Sequence, residues 1–224
     1  RERSVPADVV VARIQKLVAA GYQEVVLTGT QLGTYGFEVP GASLTGLVRR
    51  VLGETPVPRL RVSSLQAQEV TPELFDLWSD ARLCQHFHLP LQSGSATVLR
   101  AMRRRYSPQQ YLETVELIRQ RLPEASVTAD VIVGFPGETE RDFRETYELC
   151  SRAGLAGVHV FPYSARPGTS ALYIEPKVGE QEKRNRMRKM LALAGEQAHA
   201  YRSGLVGSVR PVLWEASRLA GDAT

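Results

Sequence analysis

A chain of 224 residues is long enough for one large domain or two small ones, and its 43% apolar content is that of an ordinary globular core. It contains no run of about 18 apolar residues to span a membrane, and its N-terminus lacks the apolar segment of a secretory signal. Two cysteines, Cys84 and Cys150, are too few for a disulfide scaffold and fit a reducing cytoplasm, while a formal charge of +4 permits a nucleic-acid partner without demanding one.

Strand and helix patterns alternate along the chain. Pro6 to Ala20 reads as a helix, with Val10, Ile14, Leu17 and Val18 on one face and Gly21 just beyond its end. "EVVLTG" follows as a short apolar strand. "SLTGLVRRVLG" predicts a helix capped by Ser43 and stopped by Gly53, and "RLRVSS" is the next strand. Thr71-Pro72 opens a short helix, and "CQHFHLPLQ" is a strand running into a loop. "SPQQYLETVELIRQRL" carries a capping box, Ser107 with Gln110, and an apolar face of Tyr111, Val115, Ile118 and Leu122. In "VTADVIVGFPGE" the run Val131-Ile132-Val133 has no polar alternation, so both of its faces are expected to be buried. A helix from about Thr139 to Ala153, stopped by Gly154, the strand "GVHVFPY" and a last helix from about Gly179 to Ser203 complete the order. "VRPVLWE" reads as one strand without a nearby partner.

Five strand-then-helix units favour an α/β fold, a parallel sheet with helices outside. Every strand is followed by a small, polar or Gly/Pro-rich stretch: "TGTQLGTYG", "SSLQAQE", "LPLQSGS", "GFPGE" and "FPYSARPGT". The carboxyl ends of parallel strands hold ligands. Glycines spread over four of the five rims, rather than gathered in the first turn, favour a barrel-like cup over a nucleotide-binding open sheet.

Neither phosphate-binding fingerprint is present: "GFPGE" lacks Gly-Lys-Ser/Thr, and "TGTQLGTYG" lacks the dinucleotide spacing. Cys84, His86 and His88 alternate, so on one strand they share a face; they offer zinc ligands or simply fill the barrel interior. Basic residues gather at Arg100, Arg103, Arg104 and Arg105, and again at Lys183, Arg184, Arg186, Arg188 and Lys189. Each group is either a solvated helix face or a contact for RNA phosphates, and an arginine of the first could grip a ligand carboxylate. Gln31, Gln66 and Gln92, one on each of three rims, suggest a neutral hydrogen-bonding lining for a polar organic cofactor.

Taken in order, "LTGTQLGTYG", "RLRVSSLQAQEVTPEL", "FHLPLQSGSATVLRAMRRRYSPQQYL", "TADVIVGFPGETERDF" and "HVFPYSARPGTSA" resemble the radical S-adenosylmethionine methylthiotransferases over almost the whole chain. The first rim is most similar to the branch acting on N6-threonylcarbamoyladenosine in tRNA, next to the anticodon; the isopentenyladenosine branch and the ribosomal-protein branch are the alternatives. The resemblance implies a partial (β/α) barrel of parallel strands, lacking its first strand, over residues 1–203. It also implies that residues 204–224 begin a TRAM-like RNA-binding domain. It implies S-adenosylmethionine as cofactor, two 4Fe-4S clusters in the full-length enzyme, tRNA and an electron donor as partners, a cytoplasmic location and no membrane association.

The cofactor is expected against Thr28, Gly29 and Gln31, then Ser63, Ser64 and Gln66, then His88 and Gln92, and finally Gly134, Glu138, Phe161 and Tyr163. Arg104, Arg166, Lys183 and Arg186 are expected to meet substrate or RNA. The chain departs from the family pattern in having no C-x-x-x-C-x-x-C run, and Gln66 stands where glutamate is more usual. Cluster ligands, metal ligands and catalytic residues are therefore not assigned, and the chain is expected to be an inactive internal fragment. A metal-dependent barrel hydrolase using Cys84, His86 and His88, and a non-catalytic RNA-binding module, are the rival readings.

Overall fold

The computed structural model describes residues 3–214. Its first helix, α1 (Ala7–Ala19), buries Val11 and Ile14, while Leu17 is left exposed. The apolar stripe thus lies one residue round the helix from the predicted one, with Val10 and Val18 packed along its edge. β1 (Val25–Leu27) leads to α2 (Leu44–Glu54), whose first turn is closed by the Gly46 N–H donating to Ser43 Oγ at 3.0 Å. Gly53 does not stop α2; the helix ends at Thr55, whose hydroxyl turns back to the Val51 carbonyl at 2.7 Å.

β2 (Leu60–Val62), α3 (Pro72–Phe75) and β3 (His86–His88) follow. α4 (Ala96–Ala101) was not anticipated, because its six residues are too few to carry a period. α5 (Pro108–Arg121) forms the predicted capping box between Ser107 and Gln110. β4 (Ser126–Val133), α6 (Glu140–Ala153), β5 (Gly157–Pro162) and α7 (Glu180–Ser203) complete the described elements. Residues 209–214 form no strand within the described residues, and the remainder of the expected RNA-binding segment lies outside them.

Among the described residues the strand pairings are parallel: β1 with β2, β3 with β4, and β4 with β5. The two sheets join through Leu60, whose N–H donates to the Arg82 carbonyl and whose carbonyl accepts the Cys84 N–H, both at 2.8 Å. Strand order therefore follows chain order, the arrangement of a partial barrel with helices outside.

Alternation in β4 decides what faces inward. Val127, Ala129, Val131 and Val133 are buried among the helices. Thr128, Asp130 and Ile132 are only partly buried and face the concave side. The expectation that both faces of Val131–Val133 are buried is thus corrected: Ile132 meets open space where a closed core would have covered it.

α7 packs on β4 and β5 through Met190, Leu193 and Ala194. Gly195, in the helix interior, has nothing within 4 Å of an added Cβ. Gly195→Ala should therefore stabilise the protein by about 1 kcal/mol, read as a higher urea midpoint.

Candidate ligand-binding site at the strand ends

The concave face is polar. His88 Nδ1 lies 2.9 Å from Thr128 Oγ1 and its Nε2 lies 3.2 Å from Asp130 Oδ2. Thr128 Oγ1 also lies 3.3 Å from His86 Nε2. Burial lowers the pKa of His86 to about 4, so it is neutral at physiological pH. With the Thr128 hydroxyl donating to His88 Nδ1, the His88 Nε2–H points at the Asp130 carboxylate and fixes that side chain. At the amino ends of the first strands, Glu24 pairs with Arg59 at 2.5 Å and Arg61 at 2.9 Å.

Above this floor a cavity of about 640 Å³ opens at the carboxyl ends of β3, β4 and β5. Asp130, Ile132 and Phe161 form its base, Gln92 and Phe135 its sides, and Tyr163, Arg103, Arg104 and Arg166 also line it. Phe135 and Tyr163 meet edge to face at 5.3 Å, and Phe161 is 49% exposed. The Tyr163 hydroxyl is buried without a hydrogen-bond partner. None of the three arginines has an ion-pair partner among the described residues, and the lining carboxylate of Asp130 already meets His88. Aromatic faces and a few hydrogen-bonding groups suit an adenosine, and unpaired guanidiniums suit a carboxylate. The residues present therefore fit the adenosine and the carboxylate of S-adenosylmethionine, while the lining offers its cationic sulfonium only the Asp130 carboxylate that His88 engages.

The expected site residues separate into groups. Gln92, Phe161, Tyr163, Arg104 and Arg166 come together on this cavity, with His88 behind Asp130. Thr28, Gly29 and Gln31 line a smaller cavity of about 190 Å³ beside α1 and α2. Ser63, Ser64 and Gln66 belong to the rim between the two and line neither. The Ser63 N–H extends the β1–β2 ladder to the Leu27 carbonyl at 2.9 Å. Gln66 is occupied locally: its N–H donates to Glu69 Oε2 at 2.8 Å and its Oε1 accepts from Gln68 at 2.9 Å.

Glu138 and Gly134 are closed over by α7. The Glu138 carboxylate accepts the Gly134 N–H and pairs with Arg186 at 2.9 Å, with side-chain exposures of 1% and 5%. Desolvation raises the pKa of Glu138, and the arginine offsets this only in part. Arg186 also meets Glu182 at 3.0 Å and lies over the Phe143 ring. Its expected contact with RNA is corrected, since a buried guanidinium enclosed by the carboxylates of Glu138, Glu182 and Glu140 and by a ring cannot reach a phosphate. Lys183 pairs with Glu180 at 2.7 Å and lies 5.9 Å from the Tyr163 ring centroid, at the edge of the cavity.

Sequence reasoning passed over Asp130 and Phe135 as cavity residues. Alternation along β4 was the available signal for Asp130. Phe135 sits in a turn, where no period operates.

The cysteines do not fit an iron–sulfur cluster. Both are buried, and burial pushes the Cys84 thiol up and the Cys150 thiol up to about 12, whereas cluster ligation takes thiolates. The alternation of Cys84 with His86 and His88 is also corrected: the His86 N–H turns back to the Cys84 carbonyl at 2.7 Å, which interrupts the strand. Among the described residues no three His, Cys, Asp or Glu side chains gather to hold a metal, and no helix is long and apolar enough to cross a membrane.

Residues 1–150 match the family model described as "Radical SAM superfamily". The chain belongs to that superfamily. This radical SAM chain is 39% identical over 218 residues to the threonylcarbamoyladenosine tRNA methylthiotransferase MtaB of Bacillus subtilis, covering 95% of the chain and 48% of that relative. It is equally, 39%, identical over 224 residues to the tRNA-2-methylthio-N(6)-dimethylallyladenosine synthase of Syntrophotalea carbinolica, covering 99% and 51%. The chain thus spans about half the length of the curated relatives it matches. Among solved structures, coproporphyrinogen III oxidase (HemN) of Escherichia coli superposes with a TM-score of 0.62 at 14% identity, covering 85% of this chain and 46% of that one. Streptococcus suis SuiB bound to S-adenosylmethionine gives 0.56 at 11% identity, covering 89% and 41%. These two likenesses support the radical SAM fold.

Proposed function

We propose that this chain forms the S-adenosylmethionine- and substrate-binding part of a radical tRNA methylthiotransferase that adds a methylthio group to C2 of N6-threonylcarbamoyladenosine. The observation that carries this reading is the 640 Å³ cavity, with aromatic rings at its base and unpaired arginines around it. Phe161 and Phe135 offer faces to an adenine, and Asp130 offers a hydrogen bond to ribose or amine groups. Arg104 and Arg166 offer forks to a carboxylate. When bound, S-adenosylmethionine supplies the radical precursor and the methyl group. The chain's own part is to orient the nucleoside, exclude water beneath it and hold the carboxylate. Its residues do not fit a cluster, and no step through one is assigned to them.

Two similar relatives bear names with different target nucleosides. Arg103, the cavity arginine not given to the cofactor's carboxylate, supports the carboxylate-bearing one, because a dimethylallyl group would leave that cation unpaired. Exposed Val209, Val212 and Trp214 support a further RNA-contacting segment at the carboxyl end.

Equilibrium dialysis against S-adenosylmethionine tests the cofactor reading. Saturable uptake is expected, weakened about ten-fold or more in an Arg104→Ala, Arg166→Ala double variant. No uptake, or uptake indifferent to both arginines, would contradict it.

A further inference from the structure

Among the described residues only two non-glycine positions hold a left-handed backbone, Gln92 at φ 64° and Arg103 at φ 56°. Both line the large cavity. That conformation is unfavourable for any residue with a Cβ, and such positions persist where the surrounding structure enforces them, often at ligand sites.

In both cases the backbone is pinned. The Gln92 N–H donates to the Asp130 carbonyl at 2.7 Å and its carbonyl accepts the Ile132 N–H at 2.8 Å, tying it to β4 on both sides. At the end of α4 the Arg103 N–H donates to the Arg100 carbonyl at 3.0 Å and the Arg104 N–H to the Leu99 carbonyl at 2.9 Å. Helices commonly end in a residue of this conformation, and glycine is the usual occupant. An arginine there gives up local stability and places a guanidinium, without an ion-pair partner among the described residues, at the mouth of the cavity.

Charge strengthens the point. The lining carries Arg103, Arg104 and Arg166 against the single carboxylate of Asp130, which His88 already engages. The cavity therefore seeks an anion. Arg103 is exposed, whereas Asp130 and Ile132 lie deeper, so a group arriving from outside on a macromolecule meets Arg103 first.

We propose that Gln92 and Arg103 read the carboxylate carried on N6 of the target adenosine, the group that separates a threonylcarbamoyl from a dimethylallyl substituent. This rests on the tRNA methylthiotransferase reading above. Arg103 forms the charge-assisted pair with the carboxylate, and the Gln92 amide donates a further hydrogen bond to the same substituent.

The test uses two anticodon stem-loop RNAs, identical except for an N6-threonylcarbamoyl- or N6-dimethylallyladenosine, titrated by fluorescence anisotropy at fixed salt. The wild-type chain should prefer the carboxylate-bearing RNA about ten-fold. Arg103→Gln keeps the strained backbone but loses the charge; the preference should collapse with the urea midpoint unchanged. Arg103→Gly should lose the preference and raise the midpoint, because glycine relieves the backbone. A preference that survives Arg103→Gln overturns the proposal. A parallel S-adenosylmethionine titration separates the two carboxylate sources: if Arg103→Gln weakens only cofactor binding, the carboxylate read is the cofactor's and the proposal falls. Equal affinity for both RNAs, with cofactor uptake intact, overturns this inference alone. Failure to bind either RNA removes the tRNA reading itself and this inference with it.

Discussion

Gly94→Ala should cost about 3 kcal/mol, read as a loss in urea unfolding free energy at an unchanged slope. Gly94 sits in the "LPLQSGS" turn, where α6 crosses almost in backbone contact. An added Cβ would stand 2.6 Å from Thr146 Cα and 2.9 Å from the Glu145 carbonyl oxygen. Neither atom belongs to a side-chain tip that can swing away, so the helix itself must shift. That shift would disturb a buried polar seam. Ser95 Oγ donates to Asp142 Oδ1 at 2.5 Å, the Gly94 N–H donates to Thr146 Oγ1 at 2.9 Å, and Ser93 Oγ lies 3.1 Å from the same hydroxyl. Each of those groups is costly to leave unpaired away from water. Gly195→Ala, with open space around the added carbon, is the control of opposite sign. A Gly94→Ala protein as stable as wild type would show that α6 is not seated on this turn.

Arg186→Met is expected to destabilise by about 3–5 kcal/mol at neutral pH, because it leaves the Glu138 carboxylate buried without its cation. The pH dependence separates this cause from lost packing. The folded-state pKa of Glu138 already lies above its ordinary value of 4.5, with desolvation the leading cause. A carboxyl raised in this way contributes most to stability below its unfolded pKa, and the contribution is lost as pH rises through the folded value. Removing the guanidinium raises the folded pKa further. The deficit of the variant should therefore be largest near neutrality and shrink as the pH falls through the variant's raised folded value. A deficit independent of pH would mean that Arg186 acts through contacts other than the Glu138 carboxylate, such as the Phe143 ring and Glu182.

Much of the fold was legible in the sequence because its signals are local. Ser43, Ser107 and Thr139 mark helix starts through hydroxyls that accept backbone N–H groups within their own first turns. Gly154 marks a helix end through its left-handed φ of 53°. Other features depend on contacts that no period reports. Glu138 and Arg186 are 48 residues apart, and nothing in either segment announces the other. Glu138 therefore read as a rim residue and Arg186 as part of a basic surface. Ser93 and Ser95, within the polar "LPLQSGS" stretch, seat α6. Lone residues in turns, such as Phe135 and Arg103, acquire their place on the cavity only once β4 and α4 have fixed the chain on either side.

The central claim is that an adenosine-bearing cofactor lies at the carboxyl ends of β3, β4 and β5. Titration of the isotope-labelled chain with S-adenosylmethionine, followed by amide chemical shifts, tests it most directly. Saturable shifts should gather at Gln92, Asp130, Ile132, Phe161 and Tyr163. Shifts confined to the smaller cavity around Gly29 and Gln31, or no shifts at millimolar cofactor, would contradict the account.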